Sequence, residues 1–321
     1  MTPTSKPQLV ILIGLPGSGK STRAAAWISE DPDARITVNY DAMRLARFGP
    51  NWHWNRKDED EVKAAARTTA EAALKAGISV CIDNTNLSMH VRESWKQLGL
   101  SLGAEVIEEE MGTSVEECIS RDRARGVRER GRVGRAVITR MALIYGFLNL
   151  SDGKREIVIC DIDGTIADCQ HRIHYVRPPW PTSTDCPVHI PNERGGCTSC
   201  GYKPKKDWAA FNREAINDSR IDRIISLVEM LSRRYTIILV SGRDTSIGIE
   251  TEDWLDRHCI TYNHLLLRQA GDHRPDVEHK LEILDFIPLE RIAYVLEDRD
   301  RCVEAYRAKG LTVLQVVKGD Y

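Results

Sequence analysis

Two open, mostly parallel α/β sheets in tandem are the fold class that this sequence predicts. Three observations lead there. A length of 321 residues accommodates two domains at ~150 residues each. The short continuous apolar runs LVILI (9–13) and EIVIC (156–160) suit strands buried on both faces. Each run opens a stretch in which strand-like and helix-like segments alternate, the pattern of parallel sheets joined by crossover helices. The expected domains are 1–150 and 155–321, joined through the polar NLSDGKR at 149–155.

In the first half, a helix should follow the 9–13 strand from about Lys20. Residues 60–76 are Ala-rich and amphipathic, with Gly77 suited to the C′ position of a helix. ISVCI at 78–82 reads as a strand, 105–107 as a short one, and 136–148 as a helix closing this half. In the second half, strands are expected at 156–160, 236–240, 264–267, 293–296 and 311–317, with helices at 221–233, 277–286 and 301–309. Ligands of such sheets sit beyond the carboxyl ends of the strands, and the motifs below fall there.

Composition narrows the function classes. Hydrophobic residues at 42% and charged residues at 29% supply two cores and exclude a globally disordered chain. With 45 Lys+Arg against 47 Asp+Glu, bulk charge cannot coat a nucleic acid, although a local basic channel remains open. No apolar run approaches the ~18 residues of a membrane span, and MTPTSKPQLV lacks the profile of a secretion signal. A cytoplasmic chain without membrane contact is expected. In that reducing space the nine cysteines read as thiols or metal ligands. No repeat or low-complexity tract is visible.

Gly14-Leu15-Pro16-Gly17-Ser18-Gly19-Lys20-Ser21-Thr22 follows the first strand and matches G-x-x-x-x-G-K-[ST]. Glycines 14, 17 and 19 let backbone N–H groups approach phosphate, and the helix N-terminus adds positive potential. Lys20 would reach the β- and γ-phosphates and Ser21 would ligate Mg²⁺. At the second strand tip (Asp83-Asn84-Thr85-Asn86), Asp83 suits a metal-side carboxylate, or the tip lines an acceptor site. Asp41 and Arg44, three apart, would share one helix face. They suit a general base and an anion clamp, or equally a helix cap and a surface arginine. Residues 121–135 carry seven arginines and three glycines, the composition of a basic flap over a transferred phosphoryl group or along a nucleic-acid backbone.

Asp161-Ile162-Asp163-Gly164-Thr165 follows the EIVIC strand. Two carboxylates two residues apart suit phosphoryl transfer to Asp161, with Asp163 as the acid that protonates the leaving oxygen and Mg²⁺ neutralising the cluster. Ser241-Gly242-Arg243 follows the next strand, Lys280 lies on a helix after Arg274 and Asp276, and Glu297-Asp298 ends a further strand as Mg²⁺ ligands. Between 169 and 206 the α/β rhythm breaks into a Pro- and Gly-rich insertion. There Cys186, His189, Cys197 and Cys200 have the spacing of a tetrahedral structural Zn²⁺ site, with Cys169 or His174 as substitutes.

Taken together, GLPGSGKS, DIDGT, SGR, Lys280 and ED resemble, over nearly the whole chain and in the same order, the bifunctional phage polynucleotide kinase–phosphatases of RNA end repair. The resemblance implies a P-loop 5′-kinase domain followed by a haloacid dehalogenase-type 3′-phosphatase domain, using ATP and Mg²⁺. It implies that Lys20 and Ser21 grip the nucleotide, Asp41 is the base for a 5′-hydroxyl, and Arg44 holds the acceptor's 3′-phosphate. Thr85 and Asn86 would stand beside the acceptor, and Arg121 and Arg125 would be lid arginines. In the second half it implies Asp161 as nucleophile, Asp163 as acid, Ser241 and Arg243 as the second phosphatase motif, Arg274, Asp276 and Lys280 as the third, and Asp298 as the distal metal ligand. Gly242 and Thr165 accompany these motifs at the substrate phosphate. Nucleic-acid ends, a ligase acting on the products, and self-association are the implied partners. Glu297 departs from the family's aspartate, and the Cys-rich insertion is additional. Trp52 and Trp54, near Arg44, suit stacking on a base or packing. Two other function classes fit less of the pattern: a kinase–phosphatase of a small metabolite, and a zinc-bearing RNA-binding adaptor with a nucleotide switch.

Overall fold

The computed structural model describes residues 6–50, 52, 55–126, 131–151, 153–177, 180, 188, 190 and 196–319. They form two units: 1–133 with 144–148, and 134–143 with 149–321. The helix expected at 136–148 to close the first half is therefore divided, its residues 136–143 grouping with the second unit.

The first unit is built on β1 (Gln8–Ile13), α1 (Lys20–Ser29), β2 (Arg35–Val38), α2 (Tyr40–Phe48), α3 (Arg56–Lys75), β3 (Ser79–Ile82), α4 (Met89–Ser101), β4 (Glu105–Glu110) and α5 (Val115–Ala124). The sheet order is β2-β3-β1-β4 and every pairing is parallel. Strand β1 lies inside, pairing Leu9 with Val80 on one side and Val106 on the other, which is why its run is continuously apolar. Helix α3 starts a turn before its expected position because the Asn55 side chain caps it, accepting from Asp58 N at 2.9 Å. Its buried stripe, Val62-Ala66-Ala70-Ala73, keeps helical spacing. Gly99 lets α4 approach the sheet, since a Cβ there would lie 2.7 Å from Val106 Cγ2 and 2.8 Å from Leu9 Cδ2.

The second unit takes in α6 (Arg135–Ile144) as far as Leu143, then β5 (Ile157–Cys160), β6 (Ala167–Asp168), a 3₁₀ turn (Gln170–Tyr175), α7 (Trp208–Arg213), β7 (Ser219–Arg220), α8 (Asp222–Ser232) and β8 (Thr236–Asp244). It continues with α9 (Gly248–Arg257), β9 (His264–Arg268), α10 (Asp276–Leu281), β10 (Ile292–Arg299), α11 (Asp300–Ala308) and β11 (Val313–Gly319). The parallel sheet runs β11-β10-β5-β8-β9, with β6 and β7 as a separate antiparallel ribbon. From β5 the chain builds outward through β8 and β9, then crosses to β10. The carboxyl ends of β5 and β10 thus form the switch point where such sheets open a crevice. Strand β8 runs four residues past its expected end, so Ser241-Gly242-Arg243 belongs to the strand tip, where the register shifts.

Trp254 anchors the core of the second unit. It is fully buried among Ile225, Leu239 and Leu265, and its indole N–H donates to the Asp218 carbonyl at 2.8 Å. Among the described residues no helix is long and apolar enough to cross a membrane. Trp254→Ala should destabilise the protein by about 3–5 kcal/mol. A urea titration followed by circular dichroism checks this, and an unshifted transition counts against the anchoring role.

Candidate active sites

In the first unit the phosphate cradle is assembled at the tip of β1. Gly17 and Gly19 adopt φ of 83° and 93°, a region where a Cβ is strained. A Cβ on Gly17 would also lie 2.3 Å from the Cys118 carbonyl. Gly14 N–H donates to Thr85 O at 3.0 Å and Thr113 Oγ1 to Ser18 O at 2.9 Å, so the loop is tied to β3 and to the segment before α5. Lys20 Nζ donates to Gly14 O (3.0 Å), Leu15 O (2.8 Å) and Ser18 Oγ (3.4 Å). Burial holds its ammonium below the ordinary value, against the pull of Asp83. Ser21 and Thr22 are exposed on the first turn of α1. The left-handed glycines and the poised amine fit a nucleotide polyphosphate.

Asp41 and Arg44 do share a face of α2, 2.5 Å apart. Asn39, not Asp41, caps that helix, accepting from Ala42 N at 2.9 Å. The cap reading of Asp41 therefore fails, and its carboxylate is exposed. Arg44 is gripped by Glu59 through two 2.8 Å bonds, from Nε and from Nη2. Glu59 is a buried residue of α3 that no motif announced. Trp52 stacks on Phe48 at 5.8 Å, donates to Asp58 at 2.7 Å and lies 5.8 Å from the Arg44 guanidinium; Trp54 is outside the described residues. Asn86, expected beside the acceptor, adopts φ 46° and spends its amide on the carbonyls of Leu12, Ile82 and Asn84. It bolts β1 to β3. Arg121 pairs with Glu117 at 2.7 Å, with its guanidinium beside the Gly19 turn, and Arg125 donates to Gly131 O at 2.9 Å. Residues 127–130 of the expected flap lie outside the described residues.

In the second unit Asp161, Asp163, Glu297 and Asp298 converge where β5 and β10 end. Ligand atoms of Asp161, Glu297 and Asp298 lie within 4.8 Å of one another. Both Asp298 carboxylate oxygens are buried without a hydrogen-bond partner. Burial raises the Asp161 carboxyl, opposed by Lys280, and raises Asp298 to about 6, helped by the Asp161 charge. Unsatisfied, clustered oxygens fit Mg²⁺. Glu297 is engaged otherwise: its longer arm reaches Lys280 Nζ at 2.8 Å, and Lys280 also reaches Asp161 at 2.7 Å. Gly319, at the end of β11, comes so near that a Cβ there would sit 2.2 Å from Asp298 Oδ2.

Asp163 is held by arginines. Arg243 Nη2 and Arg172 Nη2 each bond its Oδ1 at 2.6 Å, and both also bond Asp218. Burial pushes the Asp163 carboxyl up, but Arg243 and Arg172 outweigh it and leave it well below the usual carboxylate range. It is ionised, the opposite of the state a proton donor needs. Ser241 Oγ accepts from Arg243 N at 3.2 Å, and Thr165 Oγ1 is buried without a partner. Gly242 leaves room for Asp276, whose Oδ1 would be 2.4 Å from a Cβ there. Asp276 sits at about 2, because Lys280, Arg299 and Arg268 outweigh its burial. Arg274, expected at the substrate, instead pairs with Asp272 (2.6 Å) and Glu282 (2.5 Å). Arg172 and Asp218 escaped the sequence reading, since neither lies in a motif.

Of the expected zinc ligands, Cys186 and His189 lie outside the described residues, while Cys197 is buried and Cys200 exposed. Cys169 packs instead in an apolar cluster with Val176 and Phe211, and His174 contacts the His171 carbonyl.

Comparison with known proteins matches residues 205–321 to the polynucleotide kinase PNKP phosphatase domain and residues 9–147 to an AAA domain. A relative from Autographa californica nuclear polyhedrosis virus, "Putative bifunctional polynucleotide kinase/RNA ligase", is 24% identical over 299 residues. That covers 88% of this chain but only 38% of the length of the relative. Among solved structures, a chain of the Pnkp1/Rnl/Hen1 RNA repair complex is 23% identical with a TM-score of 0.37, covering 100% of this chain and 99% of its own. A haloacid dehalogenase-like hydrolase from Streptococcus pneumoniae is 20% identical with a TM-score of 0.34, covering 50% of this chain and 84% of its own. Scores of this size carry no functional weight.

The raised Asp298 value fixes a sign. Folding favours its protonated form, so its stabilising contribution is full in acid and is lost as pH rises from the ordinary carboxylate range through about 6. A divalent cation binds the ionised form and reverses this. Mg²⁺ should therefore raise the thermal midpoint more at about pH 8 than at about pH 5. Equal shifts at the two values would remove Asp298 from the metal site.

Proposed function

From a P-loop kinase-type domain followed by a phosphatase domain of the polynucleotide kinase PNKP type, we propose that this chain heals nucleic-acid ends. It phosphorylates a 5′-hydroxyl from ATP and removes a 3′-phosphate or a 2′,3′-cyclic phosphate. The observation that carries the reading is a pair of centres suited to phosphate, one at each sheet's carboxyl edge: Lys20 in its left-handed glycine loop, and Asp161 beside the unpartnered Asp298.

In the kinase reaction Lys20 exchanges its carbonyl partners for β- and γ-phosphate oxygens. Asp41 takes the proton of the attacking hydroxyl, and Arg44, braced by Glu59, orients an acceptor phosphate. Thr85 lines the acceptor, and Arg121 and Arg125 neutralise charge on the transferred group. In the phosphatase reaction Asp161 attacks phosphorus and forms an acyl phosphate, which water then hydrolyses. Asp161 and Asp298 would hold Mg²⁺, which when bound would supply charge neutralisation. Ser241, Thr165 and Lys280 bind phosphate oxygens. An incoming phosphate competes with Asp163 for Arg172 and Arg243. That competition raises the proton affinity of Asp163, allowing it to serve as acid for the leaving oxygen.

The products are ends that a ligase joins, so a ligase acting on RNA or DNA is the functional partner. A cytoplasmic homo-oligomer, with Zn²⁺ on Cys186, His189, Cys197 and Cys200 stapling the insertion, completes the reading. Asp161→Asn should abolish 3′-phosphatase activity and spare 5′-phosphorylation, with Lys20→Ala doing the reverse. End-labelled RNA and DNA carrying a 5′-hydroxyl and a 3′-phosphate report both steps, and parallel loss of both in either variant overturns two independent centres.

A further inference from the structure

One surface of the second unit combines aromatic and cationic side chains that hydrolysis itself does not require. Trp208 opens α7 with 48% of its surface exposed. Its backbone is held in place by the preceding residue. Asp207 caps α7 by accepting from Ala210 N at 2.8 Å, and its own N–H donates to Tyr175 O at 2.8 Å. The Trp208 ring meets Phe211 at 82° with centroids 5.7 Å apart. Phe211 carries the Arg172 guanidinium 4.0 Å from its centroid, and Arg172 reaches Asp163 at 2.6 Å. Three contacts therefore lead from an exposed indole to the reacting carboxylates.

Cations gather at the outer end of this path. The Lys206 ammonium lies 5.4 Å over the Trp208 ring. Partial desolvation, and then Arg301, Arg177, Arg299 and Lys203 around it, hold that ammonium below its ordinary value. Arg299 also donates to Asp276 at 2.7 Å, which places this basic cluster at the rim of the phosphatase centre. In a chain of net charge −2, such a concentration is local. An exposed aromatic flanked by cations suits single-stranded nucleic acid, because every base offers a face for stacking and every link carries a charge.

We propose that this surface holds the single strand that ends in the 3′-phosphate, one base stacking on Trp208 and the adjoining phosphates running along Lys206, Arg177 and Arg301. The proposal rests on the reading of the second unit as a polynucleotide 3′-phosphatase. The full chain and its Trp208→Ala, Trp208→Phe and Lys206→Ala variants are compared on a 3′-phosphorylated oligonucleotide and on p-nitrophenyl phosphate, across a salt series. Trp208→Ala should raise the oligonucleotide KM roughly tenfold relative to the KM for the small ester, and Trp208→Phe should restore most of it. Lys206→Ala should lower the salt slope of oligonucleotide KM by about 0.7. Equal KM changes on both substrates, or wild-type oligonucleotide KM and salt slope in all three variants, overturn the strand site while the end-healing reading stands. An unmodified chain that hydrolyses only the small ester defeats that reading and the strand site with it.

Discussion

A lysine ammonium buried among carboxylates is the interaction on which the second unit depends. Lys280 Nζ lies 2.7 Å from Asp161, 2.8 Å from Glu297 and 3.6 Å from Asp276. The Lys280 carbonyl also accepts from Tyr306 of α11 at 3.1 Å. One residue of a six-residue helix thus pins the end of β5, the tip of β10 and α11 together. Burial alone would lower the lysine, but Asp161, Asp276 and Glu297 outweigh it and keep it charged. Removing the lysine would leave these buried carboxylates without their shared cation, which is costly by roughly 3–5 kcal/mol.

The two units handle charge in opposite ways. In the carboxylate centre of the second unit opposing charges are buried and mutually neutralised, and among the described residues there the Asp298 carboxylate and the Thr165 hydroxyl are left without partners. In the first unit the proposed acceptor side is exposed, where Asp41 pairs with Arg44 at the surface. The cradle there is held by carbonyls and tight turns, not by ion pairs. The contrast suits the two proposed reactions: hydrolysis through an aspartate benefits from a nucleophile positioned before substrate arrives, whereas transfer between two bound substrates draws much of its electrostatics from the substrates themselves.

Legibility from the sequence divides along a physical line. Asp161, Asp163, Ser241 and Glu297-Asp298 were readable because each lies at or next to a strand tip, and Lys20 because it ends a glycine loop that opens a helix, places where backbone turn and side chain are specified within a few residues. Arg172, Asp218 and Glu59 were not, because each acquires its place from a partner far along the chain: Arg243 shares Asp218 across 25 residues, and Glu59 grips Arg44 across 15. Buried strands such as β1 and β5 announced themselves by continuous apolar runs. Strand β2, RITV with one fully buried residue, did not, and α4 lacks a side-chain cap bond to mark its start. Arg274 shows what a motif leaves unsaid, since its charge is paired with the neighbouring carboxylates of Asp272 and Glu282.

The close approach of Gly319 to Asp298 gives a residue without any functional group a veto over the placement of that carboxylate. Its backbone is not in the left-handed region, so the constraint is purely one of volume. Any methyl there would occupy the space of a carboxylate oxygen. A mutational survey that ranks positions by chemical capability would pass over it, whereas one that ranks them by tolerated size would place it beside the aspartates.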